Sequence, residues 1–406
     1  MPEMILTAPT APATSTTLPL LGVRVLAAIR SYELFGSERG NIEALKSLRT
    51  RGAEVRVAVP TLQGGGAVRR ELERLGFTLY AMTFGVQWSK SFIINDPLHL
   101  PGNILAWIRC QLAFDRVIRE FQPTHIQTGT ALTFNFVEWA VRRHRLPLVM
   151  RLGDAPPTNS AVQLALWRRF VRYGQRAVAI SDYIKRVSVE CEPSLARKPF
   201  DVIYNLAPTP SQPPTDPEGM EPEFRHVVYV GQIIREKGVF DLLEAARVVS
   251  ARHPDVKFHF IGGSAFSQSP EAELRRQAEA AGLGDRVRFH GWVANPRLHL
   301  ARACVHVAPS LCAEALGNVV LEAKRGGTPS VVYPSGGLPE MIRSGVDGLV
   351  CARPNVGDLV EGIEWVLASM RAHPGLRAAI QQDFHARFGP ERFAAAWQGL
   401  FQRGAA

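Results

Sequence analysis

The chain has 406 residues, 46% of them apolar and 21% charged, a balance that fits ordinary folded cores and excludes a disordered or fibrous polymer. That length is too great for one core and suits two domains of about 200 residues each. The formal net charge of +10 is carried entirely by residues 1–205, while residues 206–406 sum to zero. Cysteines 110, 191, 304, 312 and 351 are odd in number and lack paired short spacing, so they read as buried free thiols rather than disulfides or zinc ligands. No apolar run approaches the roughly 18 residues that a spanning helix needs.

Residues 1–20, MPEMILTAPTAPATSTTLPL, are rich in threonine, proline and alanine and lack a basic start. They read as a disordered tail rather than a signal peptide, which predicts a cytoplasmic address. Over 21–205 the short apolar runs VRVLAAI, EVRVAV, FTLYAM, THIQT, PLVMRL, AVAIS and DVIYN predict strands, separated by segments of helical period such as NILAWIRCQLAFDRVIREF. This alternation predicts a parallel, doubly wound sheet with helices on both faces, a Rossmann-like domain. Within it, LALWRRFVRYGQR sets Trp167, Phe170, Val171 and Tyr173 among Arg168, Arg169, Arg172 and Arg176. Two readings stand for 160–176: a helix lying on an anionic membrane at the inner face of the cytoplasmic membrane, or a domain helix with buried aromatics and solvated arginines. Nucleic acid is not an expected partner, because the charge excess is modest and no motif interleaves it with stacking aromatics.

Residues 206–224, LAPTPSQPPTDPEGMEPEF, break the pattern with prolines and acids and read as an interdomain linker. From 225 to 388 the alternation resumes, so the whole predicts an α/β protein of two Rossmann-like domains facing a central cleft. The most telling segment is EALGNVVLE, Glu314 to Glu322, between the apolar run VHVAPS and a helix-forming LEAKRGG. Gly317, Asn318 and Val319 would open a helix whose first amides lack intrahelical partners and, with the dipole, suit a diphosphate. Glu322 lies about 7.5 Å further along the axis and could reach another part of the same ligand. The alternative is that the two glutamates merely complement the helix dipole.

These segments resemble the retaining glycosyltransferases of the GT-B fold, family 4, over nearly the whole chain and most strongly over 226–352. The similarity rests on VVYVGQIIREKGVFDLLEA, FHFIGGS, VRFHGW, the APS strand with its two-glutamate motif, and SGGLPEMIRSGVDGLV, in that order. The resemblance implies a nucleotide-sugar donor, a hydroxyl of a glycan or glycolipid as acceptor, a role in polysaccharide biosynthesis, and no metal or other cofactor. It assigns the donor diphosphate to Lys237 and the amides of Gly317, Asn318 and Val319, the donor sugar to Glu314 and the ribose to Glu322. The family's phosphate-binding arginine is Gln232 here, which either leaves one cation missing or is offset by Arg235 reaching in from the same loop. Gly36 and Ser37 match a glycine-rich loop loosely, and Ser181 and Asn205 match positions that border the cleft. A final helix over 389–406, around ERFAAAWQGLFQR, is implied to cross back to the first domain.

At RLGDAPP the chain departs from the pattern, with Gly153 where family members commonly have a histidine beside the reacting centre. Asp154 remains and is expected to position the sugar; His125 and His144 are not obvious replacements. The resemblance implies front-face transfer in which the leaving diphosphate takes the acceptor's proton. Gly153 and Gln232 keep a different class open, a non-catalytic nucleotide-sugar-binding protein or assembly subunit.

Overall fold

The computed structural model describes residues 19–34, 36–61, 66–84, 100–207, 213, 217–221, 225–263 and 270–402. The expected tail lies outside these residues except at its end, where Leu20 is fully buried. Most of the expected linker lies outside them too, although Ala207 and Met220 are buried.

Two parallel sheets organise the chain. The first joins β1 (Arg24–Ala28), β2 (Glu54–Pro60), β3 (Thr78–Met82), β4 (His125–Thr128), β5 (Leu148–Leu152), β6 (Arg176–Ala179) and β7 (Phe200–Val202) in the order 3-2-1-4-5-6-7. The second joins β8 (Arg225–Val230), β9 (Val256–Ile261), β10 (Val287–Gly291), β11 (Val305–Ala308), β12 (Ser330–Val332) and β13 (Gly348–Val350) in the order 10-9-8-11-12-13. The strand order reverses between β1 and β4 and again between β8 and β11, and crevices for ligands open at such points, beyond the carboxyl ends of the strands. Covered on both faces, β4 and β5 are buried at every position, which is why β5, LVMRL, is a near-continuous apolar run rather than an alternating one, whereas β4, HIQT, buries polar side chains.

Helices Leu100–Phe121, Glu138–Arg143 and Ala161–Tyr173 cover one face of the first sheet, burying Phe114, Phe121, Phe134 and Phe170. The other face takes helix Gly36–Thr50 together with the last helix, Pro390–Gln402. Phe393, Trp397, Leu400 and Phe401 repeat at helical spacing and bury among Val25, Leu45 and Val57, so a segment from the far end of the chain completes the first domain's core. Each such side chain stabilises the packing by about 1.5–3 kcal/mol.

In helix Ala161–Tyr173, Trp167, Phe170 and Val171 are buried while Arg168, Arg169 and Arg172 face out. The aromatic side is spent on the core, through Phe134 against Phe170 and Tyr173, and is not available to a membrane. Of the two readings of 160–176, burial of the aromatics follows the domain-helix one, with the arginines left at the surface.

Candidate active site

The carboxyl ends of both sheets meet across a cleft of about 560 Å³. From the first domain Gly36, Ser37, Gly153, Asp154 and Asn205 line it, and from the second Gln232, Lys237, Glu314, Gly317, Asn318 and Val319. Of the residues singled out from sequence, Gly36, Asp154, Gln232, Lys237, Glu314, Gly317, Asn318 and Val319 therefore share one cavity, drawn from segments up to 283 positions apart.

Lys237 and Glu314 form an ion pair, both three-quarters covered. The lysine sits on the short turn Arg235–Lys237 after β8, and the glutamate on the loop after β11, the neighbouring strand, so sheet order puts them face to face. The loop carrying Glu314 is clamped from behind: Gly337 N–H donates to the Glu314 carbonyl at 2.8 Å, and the Ser335 hydroxyl donates to the Cys312 carbonyl at 2.5 Å. Gly317 caps helix Asn318–Arg325 at φ +95°, a left-handed conformation that a side chain resists, and a Cβ there would fall 2.3 Å from Leu338 Cδ2. The first turn of the helix carries no acidic residue, so its positive end faces the cleft without a countercharge of its own.

Two expected residues stand elsewhere. Arg235 does not reach in: its guanidinium pairs with Glu273 and lies 4.2 Å over the Phe240 ring, an arrangement open to a loop residue that is mostly exposed. Gln232 thus stays uncharged at the cleft wall without help from Arg235. Glu322 follows Asn318 by one helical turn, about 5.4 Å deeper, and does not line the cleft. Burial raises its carboxyl from the ordinary 4.5 to about 7, against the opposing pull of Arg325, Arg39 and Arg297.

Arg151 was missed from sequence, although an arginine in the otherwise apolar strand LVMRL was a visible signal. Its guanidinium is buried beneath the first-domain wall, donating to Asn205 Oδ1 at 2.6 Å and to the Ser37 carbonyl and Asn41 Oδ1 at 3.3 Å. Burial lowers its ionisation to about 10, with Asp154 and Glu38 pulling the other way. Gly40 makes the room, since a Cβ there would lie 2.2 Å from the guanidinium. Asn205 passes the link on, its Nδ2 donating to Asn318 Oδ1 at 2.9 Å, so the start of helix Gly36–Thr50 at Ser37 and the helix start at Asn318 are tied through one buried cation.

Other bonds fix the two domains around the cleft. The Ser181 hydroxyl caps helix Asp182–Cys191 and donates to the Ala315 carbonyl at 2.5 Å. Glu340, from the SGGLPE segment, accepts the Asp182 and Tyr183 amides at 2.8 and 2.7 Å, a carboxylate placed on the positive end of a first-domain helix. On helix Asn318–Arg325, Lys324 is fully buried and donates to Asp347 at 2.8 Å, Asp383 at 3.1 Å and the Met341 carbonyl at 2.9 Å. His125 and His144 are remote from the cleft, the first buried at the start of β4 and the second bonded to Asp115 at 2.8 Å.

Residues 216–382 match the family described as glycosyl transferases group 1. Over those residues the second domain is similar to that family. Over 378 residues, 91% of this chain and 96% of the relative, the protein is 24% identical to the lipopolysaccharide core biosynthesis glycosyltransferase LpsD of Rhizobium meliloti (strain 1021). A D-inositol 3-phosphate glycosyltransferase of Arthrobacter sp. (strain FB24) is 34% identical over 175 residues, which span 42% of this chain and 40% of that one. The two domains together superpose on Anabaena Alr3699/HepE, solved in complex with UDP, at a TM-score of 0.72 with 20% identity, covering 94% of this chain and all of that one. A glycosyltransferase from Rickettsia africae ESF-5 superposes at 0.74 with 14% identity over 95% of this chain and 99% of its own. The fold is therefore GT-B, and the second domain supplies the wall that holds Lys237, Glu314 and the helix start.

Proposed function

We infer that the protein transfers a sugar from a nucleotide diphosphate donor to a hydroxyl of a glycan or glycolipid acceptor, with retention at the anomeric carbon and without a bound metal or other cofactor. The observation that carries this reading is the Lys237–Glu314 pair set on the same cleft wall as the open amides at Gly317 to Val319. A diphosphate entering there takes Lys237 from Glu314 and receives the helix amides, and the carboxylate so released accepts hydroxyls of the donor sugar. The bond from the anomeric carbon to the diphosphate oxygen breaks, the bond to the acceptor oxygen forms on the same face, and the acceptor's proton passes to the departing diphosphate. Lys237 stabilises the charge that grows on that leaving group. Asp154, exposed at the first-domain wall, orients the sugar in place of an imidazole at Gly153. The UDP complex of the Anabaena protein and the lipopolysaccharide role of the Rhizobium relative support a nucleotide-sugar donor and an acceptor in cell-surface polysaccharide assembly.

Release of nucleoside diphosphate from a panel of nucleotide sugars, with glycolipid acceptors present, tests the reading. One donor is expected to turn over, Lys237→Ala and Glu314→Ala to lower kcat/KM by about 10²–10³, and a chelator to leave the rate unchanged. The anomeric configuration of the product, read by NMR, checks retention. The uncharged Gly153 and Gln232 favour one rival, a nucleotide-sugar binder without turnover. Saturable donor binding with no release from any donor would establish it.

A further inference from the structure

Helix Leu100–Phe121 is apolar on two sides. Phe114, Val117, Ile118 and Phe121 face the core, as a domain helix requires. Yet Ile104, Leu105, Ile108 and Leu112 are 43%, 46%, 41% and 54% exposed on the outer side. At about 100° per residue these four fall within one arc of about 100°, the width of a stripe that a surface helix normally buries. Scattered exposed leucines need no explanation, but a contiguous outer stripe on a helix whose inner face is already satisfied marks a contact surface.

What flanks the stripe identifies the partner. Arg109 and Arg116 are exposed and continue the arc on one side. On the other runs helix Glu138–Arg143, bonded to the stripe's helix through the Ala140 amide, which donates to Gln111 Oε1, and through Arg143 with Asp115. It presents Trp139, 40% exposed, with the Arg143 guanidinium 5.3 Å from its ring. Beyond it, Arg142, Arg168, Arg169 and Arg172 line a hollow of about 520 Å³ with Leu164 at its wall. The buried Glu138 carboxylate takes Arg142 and Arg169 through Nε, at 2.6 and 2.8 Å, which leaves the terminal amino groups of each for an outside acceptor. Among the described residues Glu138 and Glu192 are the carboxylates paired with the four guanidinia, so the hollow keeps a net positive charge.

We propose that this face, the outer stripe of helix Leu100–Phe121 with the arginines of helices Glu138–Arg143 and Ala161–Tyr173, docks on an anionic phospholipid bilayer. The stripe inserts among acyl chains, Trp139 sits at headgroup depth, and the arginine hollow takes lipid phosphates. Charge complementarity selects this occupant: the whole +10 of the chain lies in the half that carries the face. A helix that crosses over between parallel strands begins at their carboxyl edge, so the stripe, in the helix's first half, lies at the end of the domain where the cleft opens. The arginines of the hollow, on the later turns of helices that lead into β5 and β6, lie toward the opposite edge, so the bilayer runs along the side of the domain and an acceptor anchored in it approaches the cleft from the stripe's end. The proposal rests on the glycosyl-transfer reading only for that last step.

Sedimentation with vesicles tests it on the intact chain. The protein is expected to bind vesicles of equal parts phosphatidylcholine and phosphatidylglycerol and to bind phosphatidylcholine alone far less. Ile108→Ser with Leu112→Ser, and separately Arg109→Glu with Arg168→Glu, are expected to lower partition to the mixed vesicles at least about tenfold, with unchanged thermal unfolding. Equal binding by the variants and the parent overturns the proposal. So does a parent dimer that the stripe variants convert to monomer while vesicle binding stays the same, which assigns the stripe to a second copy of the chain. Vesicle binding is read without donor or turnover, so its failure leaves the transfer reading standing, and failure of turnover leaves the docking face standing.

Discussion

The two walls of the cleft hold their ligand-facing groups by opposite means. On the second-domain wall the charges are in the cavity, with Lys237 against Glu314, while the backbone around them is locked by Gly317, Gly337 and the buried Lys324 cluster. On the first-domain wall the cavity shows Gly36, Ser37, Gly153 and Asp154, and the cation that organises them, Arg151, lies beneath the surface. The second-domain wall holds its charge where a ligand meets it directly; the first-domain wall sets the position of its segments by a charge that no ligand need touch. Under the proposed transfer, a donor with an invariant diphosphate rewards the fixed cation of the second wall, and varied acceptors suit the first.

The contrast breaks most visibly at Lys324. Lys324→Met leaves Asp347 and Asp383 buried with one fewer cation, although Arg343 still reaches both. A loss of about 3–5 kcal/mol in unfolding free energy is expected by denaturant titration, with donor affinity falling because helix Asn318–Arg325 loses its anchor. On the opposite wall, Arg151→Gln removes the buried charge but keeps a donor for Asn205. A smaller loss, about 1–3 kcal/mol, is expected in stability. KM for the donor and kcat should both worsen, and Arg151→Lys should recover part of kcat; if Arg151→Gln alters only the melting temperature, the first-domain wall does not depend on that cation.

Glu322 gives the smallest effect and a sign that can be checked. Its folded-state ionisation, about 7, lies above its ordinary 4.5, so the folded protein holds the proton more tightly than the unfolded chain. Stability from this group is full below about pH 4.5 and is lost as pH rises through about 7. Glu322→Gln should therefore stabilise the protein at pH 8, by at most about 3 kcal/mol, with no gain at pH 4. Parallel melting curves at the two pH values read this directly.

Sequence alone determined a good deal. Period-two and near-continuous apolar runs placed all seven strands of the first sheet, because a buried parallel strand must be apolar on both faces. The glycine between Glu314 and Glu322 marked the helix start, because few residues tolerate the backbone angle found there. Local patterning could not say where a long side chain ends. Arg235 and Lys237 are two residues apart on one turn, yet one turns to Glu273 and the other to Glu314, a choice made by which neighbours the sheet order brings within reach. The aromatics of 160–176 had the right spacing for a membrane or for a core, and the presence of Phe134 decided for the core. Arg151 lay in plain view within a strand, but its meaning depends on Asn41, Asn205 and Ser37, which meet only when β1, β5 and β7 lie in one sheet. Backbone chemistry and hydrophobic burial are written residue by residue, whereas electrostatic partnership falls off with distance in space and so belongs to the folded chain.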